Sequence, residues 1–231
     1  MMNTTREPST SFMFTFSGRR VDLPQPQPGQ IHIDDVAVHL ARLMRYCGAT
    51  THPRSVAAHS MHVASLALQA GAPAEVQLAA LLHDAHEAFS GDQTSPWKRA
   101  VGKIAADMGM PCPMRLAELT LQREVLTQLG VWHAFDTARA SIHHWDMVSL
   151  VTERRDLAPA ESQDQVWAST AHIAPDPAPI MPLRGMAWRD TADDFLDVYE
   201  SLNFQIASAA IVASQIPAPT TTTTSETTTK P

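Results

Sequence analysis

The stretch from Leu78 to Phe89 constrains the fold more than any other part of the chain. It begins with five consecutive apolar residues, LAALL, and continues directly into HDAHEAF, which places His83, Asp84 and Glu87 in an otherwise core-like run. Burying these side chains without partners would be expensive, because a charged group loses its hydration when it leaves water. The fold must therefore bring other polar groups, or an ion, to this segment.

Amphipathic helical patterns cover most of the chain, and no stretch alternates apolar and polar residues like a strand. Ser55 is predicted to cap one helix, and Pro73 and Pro96 stand where the first turns of two others would begin. Glycines and prolines end most of the patterns. The sequence therefore predicts an all-α fold with helices over residues 34–48, 55–71, 75–89, 97–109, 115–129, 135–157 and 191–204.

The chain divides into one helical domain and two flanking segments. Residues 1–30 are predicted to be an extended N-terminal segment, since VDLPQPQPGQ carries three prolines. Residues 31–203 form the helical domain, in which an irregular proline-rich segment from 156 to 186 precedes the last helix. Residues 204–231 form a C-terminal tail, predicted to be disordered at least from 217, because its threonine-rich sequence cannot bury apolar area.

Composition narrows the function classes. The net charge of −7 and the pI near 5.8 leave no broad basic surface for the backbone of a nucleic-acid polymer, although a small anionic substrate needs only a local basic pocket. Cys47 and Cys112 are too few for a disulfide framework. The sequence shows no signal peptide and no apolar run long enough to span a membrane. We therefore expect a cytoplasmic protein, or one of the host cytoplasm if a phage encodes it.

Four residues are candidate metal ligands. On a continuous helix, Asp84 is rotated by about 100° from His83, and Glu87 returns to the His83 face. His59 lies in the preceding helix, which an antiparallel packing would bring close, and Asp146 stands inside an apolar stretch further along. Two histidines and two carboxylates suit Mn²⁺, Co²⁺ or Zn²⁺ and leave positions for water and substrate. The alternative for the HD pair alone is an exposed polar face with one hydrogen-bonded histidine.

These residues resemble the pattern of the HD-domain superfamily, H…HD…D on helices around a divalent metal. The stretch HDAHEAFSGDQTSPWK resembles the 5'-deoxynucleotidase branch, and HLARLMRYCGATTHPRSVAAHS resembles its phage and bacterial relatives. GRRVDLP near the start and TERRDL after Asp146 extend the resemblance over roughly residues 17–202. The resemblance implies a helical HD domain with the metal site between helices.

The resemblance also implies roles for individual residues. Metal ligation falls to His59, His83, Asp84 and Asp146, and acid/base catalysis falls to Glu87. The pair Arg45 and Tyr46 matches an Arg-aromatic pair that meets phosphate and sugar, although relatives usually carry Trp or Phe where this chain has Tyr46. Lys98 corresponds to a phosphate-binding lysine, with a solvated surface lysine as the alternative. Asp92 either meets the sugar hydroxyl or caps the next loop.

Three functions follow as hypotheses. The first is a 5'-deoxynucleotidase that releases phosphate from deoxynucleoside monophosphates, using Mn²⁺, Co²⁺, Zn²⁺ or Mg²⁺. The second is a deoxynucleoside triphosphate triphosphohydrolase, as in small phage enzymes that hydrolyse dATP, and the third is a non-catalytic nucleotide-binding module that kept the scaffold. In each case the partner is a small nucleotide rather than a nucleic-acid polymer or a membrane. The resemblance further implies a homo-oligomer.

Overall fold

The computed structural model describes residues 10–162, 170–180 and 187–215, and these residues are mostly helical. The all-α prediction is therefore confirmed. No helix among the described residues is both long and apolar enough to cross a lipid bilayer. The eight α-helices of the described residues are α1 (Ile33–Arg42), α2 (Val56–Gln69), α3 (Ala74–Leu81), α4 (Glu87–Ser90), α5 (Ser95–Asp107), α6 (Pro113–Gln128), α7 (Trp132–Leu157) and α8 (Trp188–Gln215).

Local sequence signals set several helix ends. The Ser55 side chain caps α2 by accepting a hydrogen bond from the backbone N–H of Ala58 at 3.2 Å. Proline occupies the first turn of α5 and α6, where no amide hydrogen is needed. Gly71, just after α2, has a φ of 72°, a left-handed conformation that glycine adopts without strain.

The core lies where five helices meet. α2 packs against α3 and α7, and α3 also contacts α7 and α8, while α1 lies against α8. This arrangement places the end of α3 between α2 and α7, so residues on three separate helices can reach one point. The largest fully buried apolar side chains include Leu40, Val56, Leu81, Leu82, Leu126, Ile142 and Phe195.

A short antiparallel hairpin precedes the helices, which corrects the expectation that no part of the chain forms strands. Strand β1 (Phe12–Phe14) pairs with β2 (Arg20–Asp22), and Met13 lies opposite Val21. Each strand has only three residues, which is too short for alternation to show above the background of the sequence. Residues 10–30 therefore contain a β-hairpin and are not extended throughout, contrary to the prediction from the sequence.

The buried Asp35 of α1 anchors this hairpin. Its carboxylate accepts hydrogen bonds from Thr15 Oγ1 (2.9 Å), from the backbone N–H and Oγ of Ser17 (3.0 and 2.8 Å), and from Arg19 Nη1 (3.0 Å). Burial acts to raise the pKa of Asp35, but these hydrogen bonds, above all those from Ser17, lower it below the usual value. The turn between the strands is thus held by a contact distant in sequence.

Two predicted helices have different bounds. The helix expected over residues 75–89 is interrupted, because α3 ends at Leu81 and α4 begins only at Glu87. The last helix, expected to end at residue 204, continues to Gln215, so the first twelve residues of the predicted tail are helical. The expected disorder from residue 217 concerns a segment outside the described residues, as do residues 163–169 and 181–186 of the proline-rich segment.

Candidate metal centre

The side chains of His59, His83, Asp84 and Asp146 converge at the junction of α2, α3 and α7. The His59 and His83 ring centroids are 5.4 Å apart. Asp84 Oδ2 lies 3.1 Å from His83 Nε2, and Asp146 Oδ1 lies 3.2 Å from His59 Nε2. Three of the four, His59, His83 and Asp146, offer ligand atoms that all lie within 4.8 Å of one another. The structure therefore brings together residues that are 87 positions apart in sequence.

Hydrogen bonds on the far side of each ring fix which nitrogen faces this point. His83 Nδ1 lies 2.8 Å from the carbonyl oxygen of Ala80, which can only accept, so Nδ1 donates. His59 Nδ1 lies 3.0 Å from Glu153 Oε1 and 3.1 Å from Ser149 Oγ. In a neutral ring the proton then resides on Nδ1, and Nε2 carries the lone pair that a metal ion requires.

Both Nε2 atoms are buried and lack a partner with hydrogen-bond geometry, although carboxylate oxygens lie close to each. A buried polar atom without a partner is costly in a folded protein. Asp84 and Asp146 remain half-buried, so the cluster is reachable from solvent. Two unpaired nitrogens facing two carboxylates fit a divalent ion as the shared partner, with positions left for water.

The interruption between α3 and α4 determines the direction of His83 and Asp84. After Leu81 the backbone bonds three residues back, from Ala85 N to Leu82 O and from Glu87 N to Asp84 O, as in a 3₁₀ turn. The His83 ring takes the Ala80 carbonyl as its acceptor at the helix end. The geometry expected for a continuous α-helix is therefore replaced by a tighter turn, which still places the HD pair at the cluster.

The charges of the cluster are mutually dependent. Burial acts to lower the pKa of His83, but the neighbouring Asp84 carboxylate outweighs it and raises the pKa to about 9. Burial acts to raise the pKa of Asp84 and of Asp146, and the two histidines lower both below the usual value. The ligand carboxylates are therefore ionised at neutral pH, as metal ligation requires, whereas the His83 ring is protonated without a metal ion, and metal binding would displace the proton from its Nε2.

Glu87 lies beside this cluster rather than in it. Its side chain is buried, and Oε2 has no hydrogen-bond partner. Burial and the nearby carboxylates of Asp84 and Asp92 raise the pKa of Glu87 well above its usual value, while Arg45 and Lys98 act in the opposite direction. A buried carboxyl with a raised pKa next to a candidate metal site has the properties of an acid/base group.

Three of the four substrate-binding candidates, Arg45, Tyr46 and Lys98, are engaged by other residues. Arg45 Nε donates to Glu153 Oε2 at 2.8 Å, and the Tyr46 hydroxyl donates to the same oxygen at 2.9 Å. Both lie in the 3₁₀ turn Arg45–Gly48, where Tyr46 has a positive φ of 57°. The structure thus places the Tyr46 hydroxyl on Glu153 rather than on the metal cluster.

Lys98, in the first turn of α5, forms an ion pair with Glu118 of α6, which also lies 3.8 Å from His86 Nε2. Asp92 is half-buried after Gly91, and burial raises its pKa, while Arg45 lowers it. Lys98 and Arg45 both act electrostatically on Glu87 and on Asp92. These residues therefore form one neighbourhood, with Lys98 already paired.

Glu153 is the functional candidate that sequence reasoning missed. Its fully buried carboxylate contacts Arg45, Tyr46, Arg54 and His59. Burial acts to raise its pKa, but Arg45, then His59 and Arg54, hold it well below the usual value. Glu153 follows Asp146 by seven residues on α7, two helical turns on the same face, and that spacing was the available signal.

Arg54, just before the start of α2, is buried against Glu153 at 3.0 Å. Among the neighbouring histidines, His62 bonds Ser149 Oγ at 2.8 Å and Asp176 at 3.2 Å, which ties the described part of the proline-rich segment to α2 and α7. His143 is exposed at 4.0 Å from Asp146. None of these three side chains belongs to the ligand cluster.

Comparison with known proteins identifies relatives. No protein-family model matches the chain. The uncharacterized protein YfdR of Escherichia coli K12 is 31% identical over 147 residues, which cover 64% of this chain and 72% of YfdR. An uncharacterized protein of Rhodobacter capsulatus is 47% identical over 91 residues, covering 38% of this chain and 46% of that protein, so the match spans about half its length. The chain therefore belongs to the same family as YfdR.

Proposed function

We propose that the chain is a metal-dependent phosphohydrolase of the HD type that converts deoxynucleoside 5'-monophosphates to nucleoside and phosphate. One observation carries this proposal: the unpaired, buried Nε2 atoms of His59 and His83 face the carboxylates of Asp84 and Asp146. A structural hydrogen-bond network would pair these atoms with each other. Their arrangement instead suits a divalent cation bound near solvent.

The ligand set of two imidazoles and two carboxylates suits Mn²⁺, Co²⁺ or Zn²⁺. It suits Mg²⁺ less well, because Mg²⁺ favours oxygen ligands. A divalent ion bound there supplies Lewis acidity to a phosphoryl oxygen and lowers the pKa of a bound water. Glu153 and the Ala80 carbonyl hold the two rings so that each Nε2 faces the site. The chain's contribution is thus fixed ligand orientation.

Glu87 is the acid/base group in this proposal. The raised pKa of Glu87 makes its carboxylate a stronger base, so in the ionised form it can accept a proton from the attacking water and return it to the departing sugar oxygen. Its buried position shields that exchange from bulk water. A carboxylate with an ordinary pKa would be a weaker base and would accept the proton less readily.

Arg45 and Lys98 are the phosphate-binding groups. Because Arg45 Nε bonds to Glu153, its terminal nitrogens are the donors left for phosphate oxygens. Lys98 would exchange Glu118 for the phosphate when the substrate enters. Both cations already carry a carboxylate partner, which supports a monophosphate rather than a triphosphate as substrate. Asp92, on which Arg45 and Lys98 both act electrostatically, would accept a hydrogen bond from the sugar hydroxyl.

The test is a product analysis with dAMP and dATP in the presence of Mn²⁺, Co²⁺, Mg²⁺ or Zn²⁺. We expect phosphate release from dAMP, and Glu87→Gln should slow that release by about 100- to 10,000-fold while retaining bound metal. Tripolyphosphate released from dATP would instead establish the triphosphohydrolase. Nucleotide binding without any product, under all four metals, would establish the non-catalytic module and refute the proposal.

A further inference from the structure

A cleft of about 350 Å³ lies beside the proposed metal centre. Its volume falls within the range of small-molecule sites in proteins, about 300 to 1,000 Å³. The walls are mainly apolar, and Ser90, Gln93 and Glu118 add polar groups. The apolar part of the lining is formed by Leu23, Pro24, Phe89, Met114, Ala117 and Leu121.

Two elements connect the cleft to the metal centre. The single turn of α4 carries Glu87 at its start and the cleft residues Phe89 and Ser90 at its end, a rise of about 4.5 Å along the helix axis. On α6, Glu118 lines the cleft and also pairs with Lys98. One turn further along, Gln122 Nε2 donates to the His83 carbonyl at 3.0 Å. The cleft therefore shares α4 with Glu87, and it shares α6 with residues that contact Lys98 and His83.

The order of residues also matches the order of groups in a nucleotide. Glu87 lies at the metal centre, Asp92 follows at the position proposed for the sugar, and Gln93 lies in the cleft wall. A phosphate or sugar placed in this cleft would leave its apolar walls without a partner. A flat heterocycle would bury them, and the Gln93 amide can both donate to and accept from its edge.

We propose that this cleft binds the base of the nucleotide substrate. The proposal rests on the proposed function, which assigns the phosphate to the metal centre. It predicts that the base adds affinity beyond that of the sugar phosphate. A tenfold gain requires burial of only about 55 Å² of apolar surface at about 25 cal/mol per Å².

The test measures binding to the metal-loaded full chain with Glu87→Gln, a background in which the ligand is not consumed. Isothermal titration compares dAMP with deoxyribose 5-phosphate. Ala117 is exposed on α6 and lines the cleft, so Ala117→Leu and Ala117→Gln fill the cleft without disturbing the core. Ala106, exposed on α5 outside the cleft, provides the matched control Ala106→Leu.

We expect dAMP to bind at least about tenfold more tightly than deoxyribose 5-phosphate, and both Ala117 variants to remove that advantage while Ala106→Leu keeps it. Equal affinity of the two ligands in the background protein, or an unchanged ratio in both Ala117 variants, overturns the proposal. Phosphate release by the unsubstituted chain is scored separately. If the chain releases phosphate but the Ala117 variants leave the affinity ratio unchanged, only the base-binding role of the cleft is refuted. If the Ala117 variants abolish the preference for dAMP but the chain releases no phosphate, only the hydrolase activity is refuted.

Discussion

Replacing Glu153 with glutamine would remove one negative charge from the side-chain cluster that Glu153 forms with Arg45, Tyr46, Arg54 and His59. The carboxylate accepts hydrogen bonds from Arg45 Nε (2.8 Å), the Tyr46 hydroxyl (2.9 Å), Arg54 Nε (3.0 Å) and His59 Nδ1 (3.0 Å). Each of its two oxygens therefore serves two donors. Glutamine keeps the shape but replaces one oxygen with an NH₂ group. The two hydrogen-bond donors that this oxygen served would then face a donor instead of an acceptor.

Two consequences have different magnitudes. The buried Arg45 and Arg54 guanidinium groups lose their counter-charge, and breaking a buried ion pair in this way costs roughly 3 to 5 kcal/mol of unfolding free energy. His59 loses the carboxylate that holds its Nδ1 proton, and loss of such a support lowers metal affinity by about 10- to 100-fold. Urea unfolding measures the first effect, and competition with a fluorescent chelator at a temperature where the variant is folded measures the second.

Arg54→Gln is the matched control. Arg54 contacts Glu153 but belongs to neither the ligand cluster nor the group of charges around Glu87. The control should lose a comparable part of the stability and retain the parental metal affinity. If folded Glu153→Gln bound metal as tightly as the parent, the assignment of Glu153 as the residue that positions His59 would be wrong.

Three further predictions test the ligands, the acid/base group and the hairpin anchor. His83→Ala should remove bound metal and activity together, and elemental analysis showing full metal content would contradict its ligand role. Glu87→Gln should keep the metal but slow turnover by about 100- to 10,000-fold in steady-state kinetics, and unchanged turnover would exclude it from the mechanism. Asp35→Asn should lower the unfolding free energy at pH 7 by about 1 to 3 kcal/mol, because donors then face an amide. Folding lowers the pKa of Asp35, so its ionised form stabilises the fold at pH values above the unfolded pKa near 3.9. That stabilisation is lost as the pH falls through the lower pKa of the folded state. Urea unfolding that shows the same stability deficit for Asp35→Asn at pH 7 and at pH 2.5 would contradict this.

The helices were predictable because their signals are local. Ser55 caps α2 as its sequence position indicates, and prolines begin α5 and α6. The polar residues in the apolar run at His83 also indicated a shared partner, since burial of such groups is costly at any position of any fold. The four ligand candidates are brought together by helices whose apolar faces the sequence already displayed.

The hairpin and the helix interruption were not predictable from local sequence. β1 and β2 are three residues each, and their turn depends on the Asp35 carboxylate of α1. No glycine or proline marks the end of α3 at Leu81. One local and one tertiary contact favour that end: the His83 ring bonds the Ala80 carbonyl, and Gln122 of α6 donates to the His83 carbonyl. Tertiary hydrogen bonds thus override a local helical preference.

Glu153 was missed for a related reason. In the sequence TERRDL it stands beside two arginines, a pattern typical of a solvated helix face. The structure shows that its true partners, Arg45 and Arg54, lie about 100 positions earlier on the chain. A charged side chain on the buried face of a helix can be distinguished from one on the exposed face only when the helices packed against it are known.

The balance of charge around the cluster sets an order of binding. Asp84 and Asp146 are ionised, and the cations Arg45 and Lys98 act on both Glu87 and Asp92. Each of these cations already has a carboxylate partner, Glu153 for Arg45 and Glu118 for Lys98. If the proposed function holds, a phosphate dianion in this site would face the carboxylates of Asp84 and Asp146. A divalent ion would remove that repulsion, so we expect the metal to bind first and the nucleotide second.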